Sequence, residues 1–162
     1  MRRIVFLLLL VTLSTGFSTT SKASPVSLTN FRASGWIVSP GTSGSGDSIT
    51  GHLAWTPQVD VALFGIRGEI GATLLKDVLG SSFIATNYEV FLLVNLLPML
   101  TVEGGGGLFT LRGAASNTDP ILSVNFVIDL IGPLNQLFVG YSRYLVSGSN
   151  ANIYRAGIGF GF

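Results

Sequence analysis

From Ile84 to Val94 every second residue is Ile84, Thr86, Tyr88, Val90, Leu92 or Val94, while Asn87 and Glu89 fall between them with Ala85, Phe91 and Leu93. A period of two belongs to an extended strand, whose successive side chains leave on opposite faces. The pattern recurs. Leu122, Val124, Phe126, Ile128 and Leu130 oppose Ser123, Asn125 and Asp129. Phe64, Ile66, Ile70 and Ala72 oppose Arg67 and Glu69, and Tyr154, Ala156, Ile158, Phe160 and Phe162 oppose Arg155, Gly157, Gly159 and Gly161. Such a chain is built from strands with one apolar and one polar face.

Eight strands are expected, over residues 26–38, 49–56, 59–73, 82–96, 99–111, 120–131, 136–146 and 152–162. These lengths suit strands that cross a membrane, which need ~9–11 residues. The connections alternate in kind. Ser39–Ser48, Leu74–Ser81, Arg112–Asp119 and Ser147–Ala151 are polar loops, and Thr42–Ser48 reads as a flexible external segment. Pro57-Gln58, Leu97-Pro98 and Gly132-Pro133-Leu134-Asn135 read as tight turns. Long loops outside and short turns in the periplasm are the habit of outer-membrane barrels, and an even strand number puts both termini on the periplasmic side.

Composition decides which face is outside. Hydrophobic residues make up 48% of the chain and charged residues 10%, against about 25% charged in soluble domains. Yet the longest apolar run past the amino terminus, Val90–Leu100, is broken by Asn95 and Pro98, short of the ~20 residues of a spanning helix. The apolar face carries large side chains, and an eight-stranded barrel holds little more than the side chains that fill it. The polar face carries few charges, often beside Gly or Ala, which suits a crowded lumen. Trp55, Tyr144, Tyr154, Phe160 and Phe162 lie near strand ends on the apolar face, as in the aromatic girdles of membrane barrels. The fold expected is therefore all-β, an eight-stranded antiparallel up-and-down barrel with its apolar face toward lipid. Leu28, Val139 and Leu145 are the exceptions, falling on the inner face.

Residues 1–23 read as a cleaved signal peptide. Arg2 and Arg3 precede the apolar stretch Ile4–Leu13, and Ser21-Lys22-Ala23 offers small residues before a cut. Residues 24–162 would then form the barrel domain. That portion carries six basic and eight acidic residues, which gives nucleic acid no basic stripe to bind. The absence of cysteine excludes disulfides, thiolate metal sites and a lipid-modified cysteine.

The inner face gathers Arg32, His52, Arg67, Glu69, Glu89, Glu103, Asp129, Arg143 and Arg155. Charges away from bulk water must be paired or bear the cost of desolvation. Similar numbers of each sign point to a structural salt-bridge network rather than an ion path. His52 shares a face with Thr50 and Ala54, opposite Leu53 and Trp55, so it points inward and has no serine two residues away. That argues against a catalytic triad. One histidine among scattered carboxylates also lacks the clustering of a zinc site. Glu103-Gly104-Gly105-Gly106-Gly107 has no Gly-Lys-Ser/Thr and opens no helix, so it is not a phosphate loop. These glycines and those of the last strand are expected to make room for inward Arg and Glu side chains. No cofactor motif is found.

The carboxy-terminal stretch Tyr154-Arg155-Ala156-Gly157-Ile158-Gly159-Phe160-Gly161-Phe162 resembles the closing strand of bacterial outer-membrane proteins. Tyr154, Ile158, Phe160 and Phe162 match its alternating apolar or aromatic positions and its final Phe. Together with the strand count, the chain resembles the small eight-stranded barrels typified by the outer membrane protein A transmembrane domain and outer membrane protein X. That resemblance implies outer-membrane lipid and the outer-membrane assembly machinery as partners, with a monomer as the default state. The role expected is structural or interactive in the envelope of a Gram-negative bacterium, and no enzymatic activity is expected, since the lipid-facing side carries no polar cluster. The alternatives are a lipid-modifying enzyme, a secreted lipocalin-like carrier of a small apolar ligand, and a narrow pore.

Overall fold

The computed structural model describes residues 26–40, 48–76, 82–112, 117–131, 134–146 and 149–161. The expected signal peptide lies outside the described residues, as do 41–47, 77–81, 113–116 and 147–148 within the loops, Gly132-Pro133 of the expected third turn, and Phe162. The strands are β1 (Val26–Ser27), β2 (Asn30–Pro40), β3 (Ser48–Trp55), β4 (Gln58–Val61), β5 (Phe64–Lys76), β6 (Ser82–Leu97), β7 (Leu100–Arg112), β8 (Asn117–Asp129), β9 (Gln136–Val146) and β10 (Ser149–Gly161). Eight of them, β2, β3 and β5 to β10, form a closed ring in chain order, each antiparallel to its neighbours. The seam joins first to last, from Ala151 opposite Pro40 to Gly161 opposite Asn30. Closure leaves no unpaired sheet edge around the ring.

The two short strands continue the wall toward the turns. β4 extends β3 along β5 in one unbroken register, with Trp55 opposite Ile70 and Gln58 opposite Arg67. The turn expected at Pro57-Gln58 therefore lies further on, at Ala62-Leu63. Pro57 has no N–H to give, but its carbonyl accepts from Gly68 N at 2.9 Å and keeps the ladder going. The actual turn holds Ala62 at φ 52°, a conformation that Gly or Asn would have advertised.

A second departure accounts for Leu28. Ser27 pairs with Gln58 and Phe31 with Trp55, so the first strand carries one residue more than its partner between those points. This is a β-bulge, and it inverts the side-chain alternation. Leu28 consequently lies outside, 61% exposed, and its carbonyl accepts from Trp55 Nε1 at 2.7 Å.

The outward face is apolar on every wall strand: Ile37, Leu53, Ile66, Leu92, Leu108, Phe126, Val139 and Tyr154 are all exposed. Strand β9 runs opposite to the expected parity. Phe138, Ser142 and Tyr144 are buried inside, whereas Val139 and Arg143 are exposed on the outer face with Leu145 beside them. Arg143 had marked the odd positions as inner. The lumen at that height is instead filled by aromatic rings, among which Tyr144 packs.

Candidate functional site

The interior has two strata. On the strands that contribute to both, the apolar residue lies nearer the loops: Trp36 beyond Arg32, Ala85 beyond Glu89, Phe109 beyond Glu103, Ile153 beyond Arg155. Trp36, Ala85, Phe109, Ile121, Tyr144 and Ile153 form one buried cluster. Phe109 lies 6.3 Å from Trp36 and 4.8 Å from Tyr144, ring centre to ring centre. The Tyr144 hydroxyl donates to Asp119 at 3.0 Å, which satisfies its polar end.

Below this lies the charged stratum, in two connected centres. In the first, the Glu103 carboxylate receives a two-pronged contact from Arg32, at 3.0 and 2.8 Å. Arg67 and Asn125 also donate to it, Asn125 at 2.9 Å. Arg32 reaches Gln136 as well, at 2.6 and 3.1 Å. A planar guanidinium fork matches a carboxylate, and each such charge-assisted bond is stronger than a neutral one. Arg32 lies over the Phe138 ring at 4.6 Å and Arg67 over Phe91 at 4.4 Å, so their faces meet π-electron density rather than bare hydrocarbon.

The second centre solves a harder problem. Glu69 and Glu89 are directly opposite on adjacent strands, where like charges repel. Arg155 is placed between them, 3.4 Å from Glu69 and 3.2 Å from Glu89. Asn87 spends its amide on the same pair, donating to Glu69 at 3.0 Å and Glu89 at 2.9 Å. Ser123 donates to Glu89 and lies 2.8 Å from Ser142. Arg67 joins the centres, 3.5 Å from Glu69. Three arginines thus face three glutamates, all at most 4% exposed.

His52 sits on the seam between the strata. Its ring stacks on Trp36 at 4.2 Å, Nδ1 lies 2.8 Å from Thr73 Oγ1, and Nε2 lies 3.4 Å from Glu69. Gly71 permits this, because a Cβ there would come within 2.6 Å of His52 Nε2. In the Glu103–Gly107 run the glycines admit the neighbouring strands rather than Arg or Glu side chains: a Cβ on Gly106 would come 2.9 Å from the Ile121 carbonyl oxygen of β8. A Cβ on Gly105 or Gly107 would meet the β6 backbone, at 2.8 Å from Phe91 Cα and 2.7 Å from Glu89 Cα, while Gly104 faces open space.

Of the nine charged or titratable residues expected in the lumen, the structure brings seven together. Asp129 lies apart toward the turns, accepting from Gln136 at 3.1 Å and Thr101 at 3.2 Å. Arg143 points away from the lumen altogether. The partners that sequence reasoning left unassigned are Asn87, Asn125, Ser123, Gln136 and Trp36. Strand parity already put Asn87, Asn125 and Ser123 on the charged face. Among the girdle residues, Trp55 and Tyr154 are exposed outside and Phe160 is half-buried, while Tyr144 belongs to the interior. A lipocalin-like carrier would expose Arg67, Glu69, Glu89 and Glu103 to solvent, whereas these four are buried. Among the described residues no cluster of His, Cys, Asp and Glu has the makings of a metal site.

No protein-family model and no curated protein matches this sequence. Solved structures do match the fold. Ail, the attachment invasion locus protein of Yersinia pestis, superposes with a TM-score of 0.61 at 11% identity, over 84% of this chain and 99% of Ail. Ail in a phospholipid bilayer nanodisc gives 0.55 at 11% identity, over 83% and 99%. Neisserial surface protein A gives 0.55 at 12% identity, over 85% and 99%. The chain therefore has the closed, eight-stranded fold of small outer-membrane β-barrels.

Proposed function

We propose that this chain is an integral outer-membrane β-barrel of a Gram-negative envelope, with both termini periplasmic and a structural or interaction role rather than catalysis. The observation that carries the reading is the inverted distribution of polarity. Large apolar side chains cover the outside, while three arginine and three glutamate side chains are buried and paired within. In water that arrangement would leave a contiguous greasy surface of a kind that soluble monomers rarely expose. In lipid it is the expected alternation of an outer-membrane barrel. The likeness in fold to Ail and to Neisserial surface protein A supports it.

A filled interior argues for a barrel that does not conduct. His52 is enclosed by Trp36, Thr73 and Glu69, away from the outer face where a lipid-modifying enzyme would need it. The residues between strands at the loop end, 41–47, 77–81, 113–116 and 147–148, are few, so interactions would fall to the barrel wall and rim. We also assign Tyr154, Ile158, Phe160 and Phe162 as the signal read by the assembly machinery, since Tyr154 and Ile158 present a regular apolar outer face. The processed protein should co-sediment with outer membranes and change gel mobility on boiling. A monodisperse protein in detergent-free buffer would overturn the reading.

A further inference from the structure

Arg143 is a charged side chain exposed on the outward face of the barrel, on β9. It lies three residues before Val146, the loop end of β9, roughly 10 Å along a tilted strand at ~3.3 Å per residue. Its cross-strand neighbours are Leu122 on β8 and Asn152 on β10. Leu122 is 56% exposed and Tyr154, also on β10, 51%, so the guanidinium emerges from an apolar and aromatic surface near the loop end of β9. No hydrogen bond or ion pair joins it to another described residue. The cost of arginine on a lipid-facing wall falls steeply from the bilayer midplane to its boundary, and a long side chain can carry its charge to that boundary while its stem covers apolar surface.

The neighbouring residues add donors. The Tyr141 hydroxyl donates to Asn152 Oδ1 at 2.7 Å, which fixes the amide and leaves its two N–H groups to point elsewhere. The Tyr141 and Tyr154 rings lie 5.6 Å apart and wall the site on the turn side. The Arg143 guanidinium and the Asn152 amide N–H groups thus lie directly opposite one another near the loop end of β9.

We infer that Arg143 and Asn152, framed by Tyr141 and Tyr154, form a binding site for the phosphate of an outer-leaflet lipid. The inference rests on the outer-membrane reading and on the loop end facing outward. A guanidinium fork matches two phosphate oxygens, which a lysine cannot reproduce as well.

The test uses the full barrel in neutral maltoside micelles, titrated with diphosphoryl lipid A and with the same lipid stripped of phosphate, bound lipid being counted by native mass spectrometry. The wild type should hold the phosphorylated lipid about tenfold more tightly, the size expected of hydrogen bonds to a charged group. Arg143→Gln should remove that difference, and Arg143→Lys should retain part of it. Inorganic phosphate at equal ionic strength should not compete, which separates a lipid site from one for the free anion. Equal binding of both lipids, or undiminished discrimination by Arg143→Gln, would overturn the inference. Because Arg143 is exposed, Arg143→Gln should keep the boiling-dependent mobility shift. A wild type that fails to insert into phosphatidylcholine vesicles would defeat the membrane reading instead, and the two failures are distinguishable.

Discussion

Toward the turns the barrel is filled by Arg32, Arg67, Glu103, Glu69, Glu89 and Arg155; toward the loops, by Trp36, Phe109, Ile121, Tyr144 and Ile153. The same wall strands run through both regions, and neither admits bulk water. The charged stratum is held by directed contacts in which each member needs its partners, and a half-satisfied buried network is worse than none. The aromatic stratum is held by area and shape, which degrade gradually. The two strata should therefore respond differently to the loss of one side chain. The charged layer should fail abruptly and show strong coupling between sites, whereas the aromatic layer should lose stability in proportion to the volume removed.

The largest effect is expected at Glu103. Glu103→Ala takes from Arg32 the carboxylate it is paired with and leaves Arg67 with Glu69 alone, at 3.5 Å. Removing one partner of a buried pair costs about 3–5 kcal/mol, and here Arg32 is orphaned while Arg67 loses the nearer of its two carboxylates. Urea unfolding from vesicles should show a loss at the top of that range. Combining Glu103→Ala with Arg32→Met should recover part of the loss, because the stranded charge disappears. A strictly additive double variant would show that the charged stratum is not a network.

A smaller loss is expected from Phe109→Ala, about 3 kcal/mol for a large buried ring, set by the cavity beside Trp36 and Tyr144. Leu at the same position should restore most of it, which no apolar substitution would do at Glu103. In planar bilayers both the wild type and Phe109→Ala should be silent, since the charged stratum still closes the lumen. Stepwise conductance in Phe109→Ala would mean that the aromatic layer alone is the seal.

This contrast also explains what the sequence made legible. Alternation exposes strands, and strands with one apolar face imply a barrel, so the ring, its strand number and most of its parity could be read from residues such as Ile84 to Val94. The inward charges followed from the same parity. Three features did not. The turn at Ala62-Leu63 carries no Gly, Asn or Asp, so the only local punctuation was Pro57, which the ladder absorbs. The bulge at Leu28 depends on which residues face each other across two strands, a long-range property. Arg143 hides the parity of β9, because a charge in a strand suggests the lumen, whereas Gln136, Gly140 and Ser142 lie on the opposite parity and face inward. Pairing partners such as Asn125 with Glu103 belong to the register and not to any single segment.

His52 touches both strata, stacking on Trp36 and lying 3.4 Å from Glu69, and it yields the smallest of the three effects. Glu69 keeps Arg155, Arg67 and Asn87 when the imidazole is removed, so no charge is orphaned. Trp36 keeps Phe109 as a neighbour and Arg155 over its ring at 5.5 Å. What His52→Gln loses is the ring stack and the contact to Thr73, together worth about 1 kcal/mol if each behaves as an ordinary buried interaction. The same urea titration measures it. A loss matching that of Glu103→Ala would mean that the strata are coupled through this ring into one unit, and the division drawn between them would be wrong. A loss near 1 kcal/mol would keep them separate, with the imidazole as filling between a layer that needs its partners and a layer that needs only its volume.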